Sequence, residues 1–177
     1  IALGEATKLV SYMMEDDKVY LFAVTWGEQR TTDDAEGEVM VASDVRPTEA
    51  QIKAILPDFT GTIMQKPPTF SAIKIAGQRA YDLARAGKEF DIEARPIEVY
   101  ELSLVSHTES SATFRAVCGK GTYVRSLARD MARKLGTYGY VSLLVREAVG
   151  PFSLESAISL DILGENADKS ALESAVL

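Results

Sequence analysis

Cys118-Gly119-Lys120-Gly121-Thr122-Tyr123-Val124-Arg125-Ser126-Leu127-Ala128-Arg129-Asp130 is where a strand hands over to a helix. The residues before it, Ala112–Cys118, read as a strand. The residues after it place Val124, Leu127, Ala128, Met131 and Leu135 at helical spacing, which predicts a helix over 122–135 closed by Gly136. Thr122 is placed to cap the first turn, where exposed amides attract anions. Arg125, Arg129 and Arg133 lie four apart and form a stripe along the edge of the apolar face. A mononucleotide P-loop would need Gly at 114 and Ser or Thr at 121, and the chain has Phe114 and Gly121. The corner therefore reads as a strand-to-helix turn with an affinity for anionic groups.

Outward from this corner the elements mix without regular alternation. A helix is expected over 3–14, with Leu3, Ala6, Leu9, Val10, Met13 and Met14 on one stripe, ended by Glu15-Asp16-Asp17. Lys18–Gly27 is rich in β-branched and aromatic residues and reads as a strand, followed by a polar segment to Glu38. Short strands are expected at Glu38–Ala42, Gly61–Gln65 and Ser71–Ile75. A helix capped by Thr48 should run to about Pro57. A short helix over Ala80–Ala86 precedes the strands Ile97–Ser106 and Ala112–Cys118; Val141–Val149 fits strand or helix, and an acidic helical tail follows Ser159. The fold class this predicts is α+β, a mixed, mainly antiparallel sheet flanked by helices.

The chain of 177 residues is long enough for one domain with a real core, and 46% hydrophobic with 25% charged residues is ordinary globular composition. One cysteine, Cys118, and one histidine, His107, argue against a disulfide and against a metal site, and point to a reducing, cytoplasmic setting. Cys118 is expected in the core and His107 at the surface. Asp33, Asp34, Glu36 and Glu38 are close together but follow no EF-hand order, so a solvated acidic loop is expected. No apolar stripe calls for a second copy, and a monomer is expected. The start at Ile1 without methionine and the stop within an apolar pattern read as a piece of a longer protein.

The net charge of −7 is unevenly spread. Residues 115–134 hold Arg115, Lys120, Arg125, Arg129, Arg133 and Lys134 against Asp130 alone, a local +5. A basic island on an acidic protein can still meet a polyanion.

Six short motifs in order resemble the TruB-type tRNA pseudouridine synthases. They are Gly4-Glu5-Ala6-Thr7-Lys8; Lys18-Val19-Tyr20; Thr32-Asp33-Asp34-Ala35-Glu36-Gly37; Pro67-Pro68-Thr69-Phe70-Ser71-Ala72-Ile73-Lys74; Ala94-Arg95-Pro96-Ile97; and Cys118 to Arg125. The resemblance implies a pseudouridine-synthase catalytic fold over 1–177. It also implies isomerisation of uridine 55 in the tRNA T loop, without cofactor or metal. By resemblance Tyr20 stacks on the flipped base, Tyr123 lines the pocket and Leu144 closes on the base. Arg125 is expected to form a salt bridge with the catalytic aspartate, with Lys8 near the substrate and Asp34 a supporting acid. Lys74, Lys120 and Arg129 are candidate RNA contacts. Two departures stand out. No Gly-Thr-Leu-Asp-Pro-like segment carrying the nucleophilic aspartate occurs in the chain, so these residues alone are expected to be inactive. Val145 stands where relatives usually have arginine. The alternative is a non-catalytic RNA-binding or RNA-folding protein that retains the base pocket.

Overall fold

A computed structural model describes residues 2, 4–75, 77–88 and 90–157. In chain order, a 3-10 segment (Gly4–Leu9) leads into α1 (Val10–Met13), β1 (Lys18–Trp26), β2 (Glu28–Arg30), β3 (Val39–Ala42) and α2 (Glu49–Ile55). A second 3-10 turn (Leu56–Phe59) is followed by β4 (Gly61–Gln65), β5 (Lys74–Ile75), β6 (Gln78–Arg79) and α3 (Ala80–Arg85). Then come β7 (Arg95–His107), β8 (Ser111–Cys118), α4 (Val124–Lys134), β9 (Gly139–Val149) and β10 (Phe152–Ser153). Six strands form one sheet in the order β10-β9-β1-β8-β7-β4, and every pair within it is antiparallel. The helices lie outside the sheet, so the α+β expectation is met.

Even-numbered residues of β1 face α4. Phe22 and Val24 are fully buried and Trp26 nearly so, while a Cβ added to Gly139 would meet Val24, Trp26 and Ala132 of α4 together. Phe22 stacks on Phe114 from β8 at 5.4 Å between ring centroids, and Trp26 meets Phe114 edge-on at 6.4 Å. Leu127, Ala128, Met131 and Ala132 supply the helical half of this core. Cys118 is fully buried in it, and burial pushes its thiol above the ordinary range.

Where the pattern was strong, the elements match. β1, β4, β7, β8, α3 and α4 stand within two or three residues of their expected bounds, and Thr48 caps α2 through a reciprocal capping box with Gln51. Differences have local causes. Ser71–Ile75 shrinks to two paired residues because the carbonyls of Ser71 and Ile73 accept from Tyr81 and Ala80, the opening amides of α3. The helix expected over 3–14 is a 3-10 segment plus one α turn, and neither buries a residue; Leu3 lies outside the described residues. Val141–Val149 resolves as strand by pairing along β1. The polar run after Trp26 conceals β2, which pairs with β3 and lays Arg30 over the Tyr140 ring at 4.2 Å. His107 is half-buried, its Nε2 3.0 Å from the Pro47 carbonyl, rather than exposed. The acidic tail from Ser159 lies outside the described residues. Among the described residues no helix is long and apolar enough to cross a membrane.

Candidate functional site

β8 ends at Cys118, opposite Lys18 at the start of β1. The glycine turn therefore delivers the start of α4 to the Lys18–Tyr20 end of the sheet, and Ala132 sits at the Val24–Trp26 end. Gly121, at φ +81°, makes the turn possible without strain. The helix begins later than the sequence suggests. Tyr123 is the N-cap residue and uses no side chain as a cap, because Thr122 donates instead to the Gly119 carbonyl at 3.1 Å. The N-cap residue is instead held from β4. Gln65 accepts from the Tyr123 amide at 2.8 Å and donates to the Tyr123 carbonyl at 3.1 Å.

Two residues on, the half-buried Arg125 guanidinium is held on three sides. Nη1 donates to the Thr32 carbonyl (2.9 Å) and to Asp34 Oδ2 (3.1 Å), and Nη2 donates to the Phe70 carbonyl (2.8 Å). Asp34 also accepts from the Glu36 amide at 3.1 Å. The loop holding it is docked on β9 through the Val141 amide, which donates to the Asp33 carbonyl at 3.0 Å. Arg125 thus pairs with Asp34 within this chain, and the supporting acid expected from the resemblance is its partner.

Tyr20, Leu144 and Arg146 share the α4-facing side of the sheet. Leu144 is opposite Phe22 and Arg146 opposite Tyr20 in the β1–β9 register, and directly opposed residues project to one face. Leu144 is 48% exposed. Burial pushes the Tyr20 phenol above the ordinary tyrosine range, with Arg146 beside its oxygen pulling the other way. Val141, where the Asp34 loop docks, pairs with Val24, four residues from Tyr20, or ~13 Å along the strand. Two concavities occur elsewhere. One of about 430 Å³ lies between β4 and α4 and is lined by Phe59, Ile63 and Leu127; one of about 370 Å³ lies beside Tyr100 and Lys120. Neither is lined by Tyr20, Tyr123 or Arg125.

The arginine stripe divides by environment. Arg129, expected as an RNA contact, is only 8% exposed and spends its donors on Asp33 (3.2 Å), Asp130 (2.8 Å) and the Lys66 carbonyl (2.8 Å), leaving no face for a phosphate. Arg133 is exposed and reaches Gln29. Lys120 is exposed and paired with Glu15 at 2.5 Å. Lys8 is exposed and reaches Glu5, and Lys74 is exposed on the β5–β6 hairpin; no polar contact among those described ties either to Arg125. The local +5 is largely neutralised across the fold, since Arg115, Lys120, Arg125, Arg129 and Lys134 each pair with a carboxylate.

Four residues escaped the sequence reading. Arg146 could have been found from its period-two spacing with Leu144. Gln65 sits at the end of a strand with nothing to mark it. Asp33, expected in a solvated acidic loop, is instead 6% exposed, paired with Arg129 and at φ +59°, which aspartate tolerates better than most residues. Thr32 contributes a main-chain carbonyl, which no residue type announces.

A family model described as TruB family pseudouridylate synthase (N terminal domain) matches residues 1–124. The chain is 56% identical over 160 residues to "tRNA pseudouridine synthase B" of Mesorhizobium japonicum, covering 90% of this chain and 49% of that protein. It is 57% identical over 160 residues to the protein of the same name from Sinorhizobium medicae, covering 90% and 52%. The chain spans about half the length of the curated relatives it matches. Among solved structures, a Cbf5-Nop10-Gar1 complex matches with TM-score 0.70 at 23% identity, covering 99% of this chain and 45% of that one. An H/ACA RNP bound to a substrate RNA containing 2'-deoxyuridine matches with TM-score 0.66 at 20% identity, covering 98% and 43%. At these identities the structural likeness establishes the fold.

Proposed function

We propose, from the premise that this chain belongs to the TruB pseudouridylate synthase family, that it is the larger part of a domain converting uridine 55 of the tRNA T loop to pseudouridine. The reaction is an isomerisation. The N1–C1′ bond breaks, the base turns and a C5–C1′ bond forms; C5 gives up its proton and N1 gains one, so no oxidant, reductant or cofactor enters the balance. The base has to leave its stack to be turned, and an aromatic face with an apolar neighbour can receive it. Tyr20 and Leu144, on one sheet face with Arg146 beside the Tyr20 oxygen, fit that demand.

The observation that carries this reading is the fixed guanidinium of Arg125 at the start of α4, held by Asp34 and two main-chain carbonyls. Held this way the guanidinium stays in place during the reaction, and the donors not spent on Asp34, Thr32 and Phe70 can hold a carboxylate of the complete protein ionised. The 177 residues contain no Gly-Thr-Leu-Asp-Pro-like segment, so turnover is assigned to the complete protein.

The direct test uses the complete protein and a T stem-loop RNA tritiated at uridine C5. Tritium release at a catalytic rate is expected, with none from residues 1–177 alone. RNA binding by the complete protein without tritium release would favour the non-catalytic RNA-folding alternative instead.

A further inference from the structure

α4 begins without a cap of its own, yet the residues around its start are those assigned to the base pocket. The first amides of any helix need partners from outside it. Gln65, 58 residues away, serves the first of them and grips the same residue with both ends of its amide: the carbonyl takes the Tyr123 N–H and the amino group gives to the Tyr123 C=O. Because the Tyr123 nitrogen can only donate, the orientation of the Gln65 amide is forced. Gln65 is 2% exposed, and its strand is locked by pairing with β7, where Gln65 sits opposite Arg95. The next residues extend the same clamp. The Lys66 carbonyl accepts from Ser126 Oγ and Arg129 Nη2 at 2.8 Å each, buried Pro67 and Pro68 stiffen the chain, and the Phe70 carbonyl accepts from Arg125.

We propose that Gln65 is a positioning residue for the pseudouridine-forming reaction: it fixes where the first turn of α4 stands and thereby where Tyr123 and Arg125 present their side chains. This rests on the function proposed above. A displacement of the turn by about 1 Å is enough to cost ~100-fold in a reaction that depends on alignment.

The test uses the complete protein with Gln65→Leu, of similar size but without polar atoms, and Gln65→Glu, which keeps the acceptor for the Tyr123 amide and loses the donor. Single-turnover tritium release and equilibrium affinity for the T stem-loop RNA are measured on folded protein. For Gln65→Leu the rate should fall by about tenfold or more while affinity changes less than about threefold. Gln65→Glu should be slower than wild type at alkaline pH and recover relative to it as pH falls, through a window that burial moves above the ordinary carboxylate range, because the protonated acid regains a donor. Should Gln65→Leu fail to fold, the pH recovery of Gln65→Glu decides by itself. A Gln65→Glu rate equal to wild type with a flat pH ratio up to about pH 9, where the buried acid is ionised, would overturn the proposal, as would a Gln65→Leu rate within twofold of wild type. An inactive wild-type complete protein would instead reject the function on which it rests.

Discussion

At the residue scale, two side chains lead to predictions of opposite kinds. Tyr20 is half-buried beside Arg146, and if it stacks on the extruded base, Tyr20→Ala in the complete protein should weaken RNA binding by ~1–3 kcal/mol. Tyr20→Phe keeps the ring and should lose far less. Because burial holds the phenol above the ordinary tyrosine range, it stays neutral, and the wild-type and Tyr20→Phe affinities should run parallel from about pH 7 to 9. Divergence over that range would mean the phenol ionises in the complex. Asp33 raises a question of stability. Burial lifts its carboxyl above the ordinary aspartate range, outweighing the pull of Arg129, while Arg129 itself is kept charged against its own burial by Asp130 and Asp33. A raised carboxyl favours the folded state when protonated, so its contribution is present below the ordinary aspartate value of about 4 and is lost as pH rises through the raised one. Wild type should therefore lose stability relative to Asp33→Asn as pH climbs through this window. Asparagine also tolerates φ +59°, whereas Asp33→Ala should cost about 2 kcal/mol through backbone strain and the loss of the Arg129 partner. Melting curves across pH separate the variants, and parallel curves for wild type and Asp33→Asn would refute the burial argument.

At the element scale, the contact that sets α4 against the sheet is the close approach at Gly139. A Cβ there would lie 3.0 Å from Val24, 3.1 Å from Ala132 and 3.1 Å from Trp26, tighter than packed carbons accept. All three neighbours are buried and have little room to give. Gly139→Ala should cost ~1–3 kcal/mol by overpacking, read as a lowered denaturation midpoint with an unchanged slope. A gain in stability would show that α4 can shift away from β9. The strand-and-helix pattern at this junction was legible because side-chain periodicity is local: Val124, Leu127, Ala128 and Met131 are all buried as their spacing demands. The cap was illegible. Thr122 is a reasonable cap by type, but its hydroxyl is taken by Gly119 and the helix start is served from β4.

At the scale of the whole molecule, charge behaves differently from its distribution along the chain. The basic island at 115–134 meets carboxylates from distant segments, including Glu15, Asp34, Asp58 and Glu147. Lys120 and Glu15 are both exposed, so their pairing is weak and easily exchanged for a phosphate. Glu15→Gln in the complete protein should raise RNA affinity at low salt and steepen its salt dependence, while Lys120→Ala should reduce the slope of log K against log salt by no more than about one. Titrations at several salt concentrations measure both, and an unchanged slope in both variants would place this corner away from the RNA.

The sequence alone determined the α+β class, most strands and helices and the family, because periodicity, turn residues and short motifs are properties of neighbouring residues. Tertiary structure decided which charges are free and which are spent. Arg129 and Arg133 are indistinguishable as members of one helical stripe, yet one is buried among Asp33, Asp130 and the Lys66 carbonyl and the other is at the surface. It also decided what holds Arg125 and the start of α4, since main-chain carbonyls at Thr32 and Phe70 and an amide at Gln65 act through position in space. Hydrogen bonds and ion pairs reach only a few ångströms, so partners 55 to 105 residues apart become partners only when the fold sets them side by side.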